Sequence, residues 1–162
     1  RADRSRWSLG RPGIFLYGVG GGAAARVQPE PVVSMRARIV EMRTVHEGES
    51  VSYDATFRAE REMRVATLPV GYADGYRRAL GNHAHALVAG RRAPVVGVVT
   101  MDMTMLDVTD VDARVGDVAT LIGADGVERI DVVELAERAT ASPYEILTGL
   151  HARLPRVYSG GE

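Results

Sequence analysis

The feature that most constrains this fold is a series of short β-type segments that begins near residue 32 and ends near residue 122. Each segment alternates apolar and polar residues or is a short apolar run, and Gly, Pro and Asp clusters stand between them. The segments cover residues 32–43, 51–57, 64–70, 86–88, 94–99, 101–108 and 118–122. The pattern predicts a mainly β domain, with residues 86–99 forming a hairpin that turns at residues 90–92.

Two short helices are expected after the β region. Residues 131–139 open with acids three positions apart, in the pattern of a capping box, and continue with helical apolar spacing. Residues 142–145 form a second capping box with proline at the first helical position. Ahead of the β region, the apolar run 13–17 predicts a short buried strand. Within that region, segment 51–57 predicts a strand with Val51, Tyr53, Ala55 and Phe57 on one face.

Composition narrows the classes of function. The formal net charge is -1, which disfavours nucleic-acid binding through phosphate contacts. The apolar runs are far shorter than the ~18 residues of a membrane span. The chain has no cysteine, and all 20 of its Lys and Arg residues are arginine. These counts exclude disulfides, a cysteine nucleophile and a Schiff base formed by a lysine of this chain.

Four local patterns suggest sites that their context does not support. Glycines within 18–23 match a loose dinucleotide fingerprint, but no helical crossover fits between them and Pro29. His83 and His85 have no third ligand nearby in sequence, so we expect solvated loop histidines and no metal site. The aspartates between residues 102 and 117 lack the spacing of a calcium loop. The stripe of Met101, Met103 and Met105 is expected to pack in the core.

Five stretches, in order, resemble the alanine racemase family. They are RPGIFLYG at 11–18, VSYDATF at 51–57, LPVGYADGY at 68–76, PVVG at 94–97 with MDM at 101–103, and SPYEIL at 142–147 with LPRVY at 154–158. The resemblance implies a mainly β domain like the C-terminal domain of that family, preceded by a remnant of an α/β barrel. We expect residues 1–26 to be the end of the barrel and its linker, and residues 27–162 to be the β domain.

The resemblance also implies an activity. Members of the family are bacterial, cytoplasmic isomerases that interconvert L- and D-alanine with pyridoxal 5'-phosphate (PLP), as homodimers, for D-alanine and peptidoglycan synthesis in the cell wall. The lysine that carries PLP belongs to the start of the barrel, and this chain contains no lysine. We therefore expect that an N-terminal portion is missing and that the chain alone is inactive.

By the same resemblance, Tyr53 is the catalytic tyrosine that one subunit supplies to its partner's site. It and the PLP lysine would act on opposite faces of the substrate Cα, with Tyr53 handling the proton on the L side. A phenol with a pKa of ~10 needs positive charge nearby to lose its proton near neutral pH. In the family that charge comes from an arginine of the barrel.

The remaining site residues fall into three groups by resemblance. Arg11 would hydrogen-bond the pyridine nitrogen of PLP, and the backbone amides of Gly13 and Ile14 would contact its phosphate. Met101 and Asp102 would bind the substrate. Tyr72 and Arg78 would line the path by which the substrate reaches the site.

Two departures and two alternatives accompany this interpretation. Val98 stands where the family often has an arginine on the substrate path, and Ala152 stands where it often has a tyrosine that contacts phosphate.

One alternative function is that of a related racemase of serine or another amino acid. The other is a non-enzymatic β module for binding or dimerisation, which predicts that Tyr53 is buried.

Overall fold

The structure, a computed structural model, describes residues 9–20 and 26–159 and divides the chain into two compact units, Arg1–Val32 and Val33–Glu162. In the first unit, Gly13–Tyr17 forms a 3₁₀ helix in which no residue is buried. The predicted buried strand at 13–17 is therefore wrong. A five-residue apolar run has no periodicity to distinguish strand from helix, and Pro12 (φ -69°) precedes it in helical conformation.

The second unit is mainly β with two short helices, which confirms the predicted fold class. Among the described residues it contains ten strands and two α-helices. The strands are β1 (Met35–Arg38), β2 (Glu41–Val45), β3 (Ser50–Val51), β4 (Phe57–Arg58), β5 (Met63–Leu68), β6 (His85–Val88), β7 (Arg91–Pro94), β8 (Thr104–Asp107), β9 (Val118–Asp125) and β10 (Glu128–Ile130); the helices are α1 (Val132–Arg138) and α2 (Pro143–Gly149).

The strands form three antiparallel sheets within the described part of the chain. The largest has the order β1-β9-β6-β7, with β10 also paired to β9. A second sheet has the order β2-β5-β8, and β3 pairs with β4 alone. A hairpin is present as β6 and β7, in register from His85 opposite Pro94 to Val88 opposite Arg91, but its second strand is Arg91–Pro94 and the predicted strand at 94–99 is wrong. Its turn lies at residues 89–90, slightly earlier than the sequence predicts.

A hydrophobic cluster joins the two smaller sheets. Its buried members are Val45, Val51, Ala59, Met63, Val65 and Val96, and Phe57 and Met105 pack against it partly buried. Full burial of one such valine stabilises the fold by roughly 1.5–3 kcal/mol. Because Val51 and Phe57 end β3 and begin β4, this cluster anchors both ends of the segment between these strands.

Both predicted helices are confirmed, with their caps. The Asp131 side chain accepts a hydrogen bond from the Glu134 amide at 2.8 Å. Helix α1 begins at Val132, directly after Asp131. At α2, Ser142 and Glu145 complete a reciprocal capping box, which satisfies two backbone donors that a helix start leaves open. No helix in the described ranges has the length and apolar character needed to cross a membrane.

Candidate active site

The segment that carries Tyr53 is a strained turn and not a strand. Between β3 and β4, Tyr53–Ala55 form one 3₁₀ turn. Ser52, Asp54 and Ala55 have φ values of 67°, 61° and 46°, which non-glycine residues rarely adopt. The prediction of one strand over 51–57 is therefore wrong, because three left-handed residues break the alternation. Its consequence is that the Tyr53 side chain stands clear of the core.

Tyr53 is 67% exposed. This exposure contradicts the buried Tyr53 that the non-enzymatic alternative predicts. Side chains that flank the tyrosine hold the turn in place. The Ser52 hydroxyl donates to the Val98 carbonyl at 2.7 Å, and the Asn82 amide donates to the Thr56 hydroxyl at 3.2 Å. A phenol in this position is accessible to a second molecule while its backbone is fixed.

Gly97 allows the strand end before Tyr53 to approach the neighbouring loop. A Cβ at this position would lie 2.5 Å from the Val51 carbonyl oxygen and 2.8 Å from the Ser52 Cβ. The Gly97 φ of +76° also suits glycine, and its amide donates to the Asn82 side-chain oxygen at 2.6 Å. The Val98 side chain is buried. The loop therefore supports the Tyr53 turn through its backbone, at the Val98 carbonyl that Ser52 binds.

A second turn, Tyr72–Asp74, lies directly against the segment that contains Met101. The Tyr72 amide donates to the Thr100 carbonyl and the Ala73 amide to the Met101 carbonyl, both at 3.0 Å. Gly71 makes this approach possible, since a Cβ there would lie 2.2 Å from the Thr100 oxygen. The structure thus brings Tyr72 and Met101 together, as the predicted site requires.

Arg153 links the Tyr72–Asp74 turn to the Met101 segment by binding the carboxylates of Asp74 and Asp102. Its Nε and one terminal nitrogen donate to the two carboxylate oxygens of Asp74 at 2.6 and 3.0 Å, and that nitrogen also donates to Asp102 at 2.6 Å. Asp74 is buried and also accepts from the Gly71 amide at 2.9 Å. Burial opposes ionisation of Asp74, but the Arg153 and Gly71 hydrogen bonds leave its pKa below the usual value.

Arg78 connects the Tyr53 turn to an open cleft. Its guanidinium lies 3.4 Å from the Asp54 carboxylate, in an ion pair whose side chains are both largely exposed. The cleft has a volume of about 380 Å³ and is lined in part by Tyr72, Arg77, Arg78 and His151. Both arginines of the cleft also face a carboxylate, Arg77 that of Glu145 at 3.0 Å and Arg78 that of Asp54 at 3.4 Å, so the polar lining is a set of paired charges.

The methionine stripe does not behave as predicted. Met101 and Met103 are 53% and 48% exposed, whereas only Met105 packs against the core cluster. The reason is that β8 begins at Thr104. Residues 100–103 instead form a turn, closed by the Thr100 amide donating to the Met103 carbonyl at 2.9 Å. Met101 is therefore available to a ligand.

The two central histidines differ from each other. His83 is exposed, as expected, but His85 lies in β6 and is half-buried, so the prediction of a solvated loop residue is wrong for it. Burial and the nearby charges of Arg138 and Arg92 lower the pKa of His85, against the opposing effect of Glu134. Across the described residues, no three His, Asp or Glu side chains lie together in a group that could hold a metal ion.

The expected cofactor residues belong to the first unit. Arg11 and Gly13 are exposed there, and Ile14 is half-buried at the start of the 3₁₀ helix. An exposed guanidinium and an exposed backbone at Gly13 are compatible with contacts to a bound group. The glycines at positions 18 and 20 are described, whereas residues 21–25 of the predicted glycine loop lie outside the described residues.

Backbone bonds therefore join the Tyr72 turn to the segment of Met101 and Asp102, Arg78 lines the same cleft as Tyr72, and Tyr53 is tied to Arg78 only through its neighbour Asp54. Sequence reasoning missed Arg153, which links two of their segments. It is 79 residues from Asp74 and 51 from Asp102 in sequence, so no local spacing indicates the contact. The only available signal is that all three residues lie in or beside family-like motifs.

Comparisons with known proteins identify a family. A family model described as "Alanine racemase, C-terminal domain" matches residues 32–158. The chain is 44% identical over 151 residues to the alanine racemase of Halothermothrix orenii, covering 91% of this chain and 40% of that protein. It is 46% identical over 155 residues to that of Geobacter sulfurreducens, covering 93% and 41%.

A solved structure gives the same result. The crystal structure of alanine racemase from Bartonella henselae with covalently bound pyridoxal phosphate superimposes with a TM-score of 0.83 at 33% identity, covering 90% of this chain and 40% of that one. The family resemblance read from the sequence is thereby confirmed. The chain spans about two fifths of the length of the curated relatives that it matches.

Proposed function

Because this chain belongs to the family of the alanine racemase C-terminal domain, we propose that it is the C-terminal portion of a PLP-dependent alanine racemase. The longer protein, which we call the parent enzyme, would interconvert L- and D-alanine as a homodimer. The observation that carries this proposal is the Tyr53 phenol, which is exposed on a turn that the Ser52 hydroxyl fixes to the Val98 carbonyl. Residues 1–26 would be the end of the barrel and its linker.

Tyr53 is the proton carrier in this proposal. Racemisation removes the Cα hydrogen from one face of alanine and returns one to the other, so two groups on opposite faces achieve it without moving. Tyr53 would hold or accept the proton on the L side in the partner subunit's site. The exposure of its side chain supports a role between subunits, because the phenol can extend beyond its own domain.

PLP, when bound, supplies the electron sink for the pair of electrons that the departing proton leaves behind. Arg11 would donate a hydrogen bond to its ring nitrogen, and since an arginine does not give up its proton, that nitrogen would stay unprotonated. The backbone amides of Gly13 and Ile14 would bind its phosphate. The exposed Arg11 and Gly13 fit these roles.

Met101 and Asp102 would contact the substrate, and Tyr72 and Arg78 would line its path into the site. Support comes from their exposure and from the cleft beside Tyr72 and Arg78. Alanine is a zwitterion near neutral pH, and the paired charges of this cleft, Arg77 with Glu145 and Arg78 with Asp54, offer partners to both of its charged groups. The Met101 side chain, 53% exposed, offers an apolar surface that the methyl group of alanine could contact.

The experiment is Tyr53→Phe in the parent enzyme, with Tyr144→Phe as the matched control. Tyr144 is also exposed, at 56%, but lies on α2. We expect Tyr53→Phe to lose at least ~100-fold in racemisation, the usual contribution of a positioned acid or base, while the PLP absorbance is retained. Unchanged turnover, or an equal loss in the control, would contradict the assignment.

The chain alone is proposed to be inactive. It contains no lysine to bind PLP covalently, so the purified chain with added PLP should not racemise either enantiomer of alanine. Racemisation by the purified chain above the rate of PLP alone would overturn this part of the proposal.

A further inference from the structure

We propose that Arg153 is a positioning residue for the substrate contacts of this site, because it joins Asp102, in the Met101 segment, to Asp74, in the Tyr72 turn. The inference rests on the proposed function and extends it to a residue outside the predicted set. Arg153 would not touch the reacting atoms itself. It would act by keeping Met101 and Asp102 where the substrate meets them.

One end of the link is fixed. Asp74 has a side chain only 7% exposed, and its carboxylate accepts from the Gly71 amide at 2.9 Å as well as from Arg153. The Asp74 carbonyl accepts from the His151 amide at 3.1 Å, which brings the chain near Arg153 against the turn. Asp74 is therefore a rigid attachment point for the guanidinium.

The other end of the link is the more exposed one, and Arg153 is the hydrogen-bond partner of its side chain in the described part of the chain. The Asp102 side chain is 55% exposed and receives a 2.6 Å hydrogen bond from Arg153. Backbone bonds join Thr100 and Met101 to the Tyr72 turn, and the bridge from Asp74 through Arg153 to Asp102 spans the same two segments, so loss of the bridge should weaken the backbone bonds. A guanidinium with several donors in one plane can bridge two carboxylates, which the point charge of a lysine does less well.

The expected consequence is a loss of substrate affinity rather than of the proton-transfer step. If Arg153 orders the substrate contacts in the ground state and in the transition state alike, its removal raises KM and leaves kcat nearly unchanged. A residue that only stabilises the fold would instead lower the amount of active enzyme, which lowers the apparent kcat and leaves KM unchanged.

The chain supplies a matched control in Arg92. Its guanidinium also bridges two carboxylates, at 2.9 Å from Glu128 and 2.6 Å from Glu134, with a side chain 35% exposed against 47% for Arg153. Arg92 lies on β7 and binds residues of β10 and α1, none of which belongs to the proposed site. Replacement by methionine removes a bridge between two carboxylates in both cases, and in Arg92 it also removes a bond to the Arg129 carbonyl at 2.6 Å.

The test is steady-state kinetics of the parent enzyme with Arg153→Met, Arg153→Lys and Arg92→Met. We expect KM for alanine to rise about tenfold in Arg153→Met, with kcat within about threefold, and a smaller rise in Arg153→Lys. Arg92→Met should keep the parent KM. An unchanged KM in Arg153→Met, or an equal rise in Arg92→Met, would overturn the proposal.

A second measurement separates this proposal from the proposed function. Amide hydrogen exchange at Tyr72 and Ala73, whose amides donate to the Thr100 and Met101 carbonyls, should accelerate in Arg153→Met of this chain and not in Arg92→Met. A parent protein without racemase activity would refute the proposed function whatever the exchange shows. Unchanged exchange would refute the positioning role even in an active racemase.

Discussion

Gly97→Ala tests whether close packing beneath the Tyr53 turn sets the position of the phenol. The new methyl group would lie 2.5 Å from the Val51 carbonyl oxygen, closer than two such atoms can approach, so the backbone must shift. The atoms that it meets belong to Val51 and Ser52, immediately before Tyr53. The displacement is therefore transmitted directly to the proposed catalytic residue.

Two destabilising effects add in the Gly97→Ala variant. Holding alanine at the Gly97 φ of +76° costs about 1–2 kcal/mol, and forcing an extra methyl group into a filled site costs typically 1–3 kcal/mol. Together they predict a loss of about 2–5 kcal/mol in the free energy of unfolding. Gly90→Ala is the control, because Gly90 has a similar φ of +71° but its added Cβ would meet nothing closer than 3.9 Å.

The assay is denaturant unfolding of both variants, followed by racemase kinetics in the parent enzyme. Gly90→Ala should lose only the conformational cost of about 1–2 kcal/mol and keep the parent kcat. Gly97→Ala should lose more stability than the control and should also lower kcat at unchanged PLP absorbance. Equal losses in the two variants would refute the claim that contact at Gly97 positions the turn.

Two further predictions concern buried polar groups in the second unit. The Tyr76 hydroxyl is fully buried with no hydrogen-bond partner among the described residues; burial raises its pKa, and nearby Glu134 does so further. Tyr76→Phe should therefore raise the free energy of unfolding by roughly 1–3 kcal/mol in denaturant melts, and a loss would show that the hydroxyl is satisfied. Asp74→Asn concerns pH: the folded pKa lies below the ordinary 3.8, so ionised Asp74 stabilises the fold above that pH and this contribution disappears as pH falls through the folded pKa. Unfolding measured from pH 7 to pH 2 should show the deficit of Asp74→Asn shrinking in acid, and a deficit that stays constant would contradict the ionised Asp74–Arg153 pair.

Local sequence signals were sufficient for much of the fold. Alternation and turn residues locate β5, β6 and β9, because each signal arises within a few residues of the element that it predicts; β7 begins three residues earlier than its predicted strand. The caps at Asp131 and Ser142 place both helices for the same reason. The apolar run 13–17 fails because its length is compatible with a strand or a helical turn, and burial does not decide between them.

The site was predictable only in part, for a physical reason. The resemblance to the family identifies Tyr53 as a site residue. The alternation of apolar and polar residues over 51–57, however, could not reveal that three non-glycine residues there have positive φ. The contact that fixes the start of this turn, from the Ser52 hydroxyl to the Val98 carbonyl, spans 46 residues of sequence, so no local pattern indicates it. Arg153 is subject to the same limitation, since both of its partners are distant in sequence.

The central claim is that the Tyr53 phenol handles the proton on the L side of alanine. The most direct measurement is deuterium incorporation at Cα in D₂O by the parent enzyme carrying Tyr53→Phe, starting separately from L- and D-alanine. If Tyr53 handles the L-side proton, incorporation from L-alanine is lost while incorporation from D-alanine continues without racemisation. Incorporation from both enantiomers at the parent rates, or an equal loss from both, would contradict it.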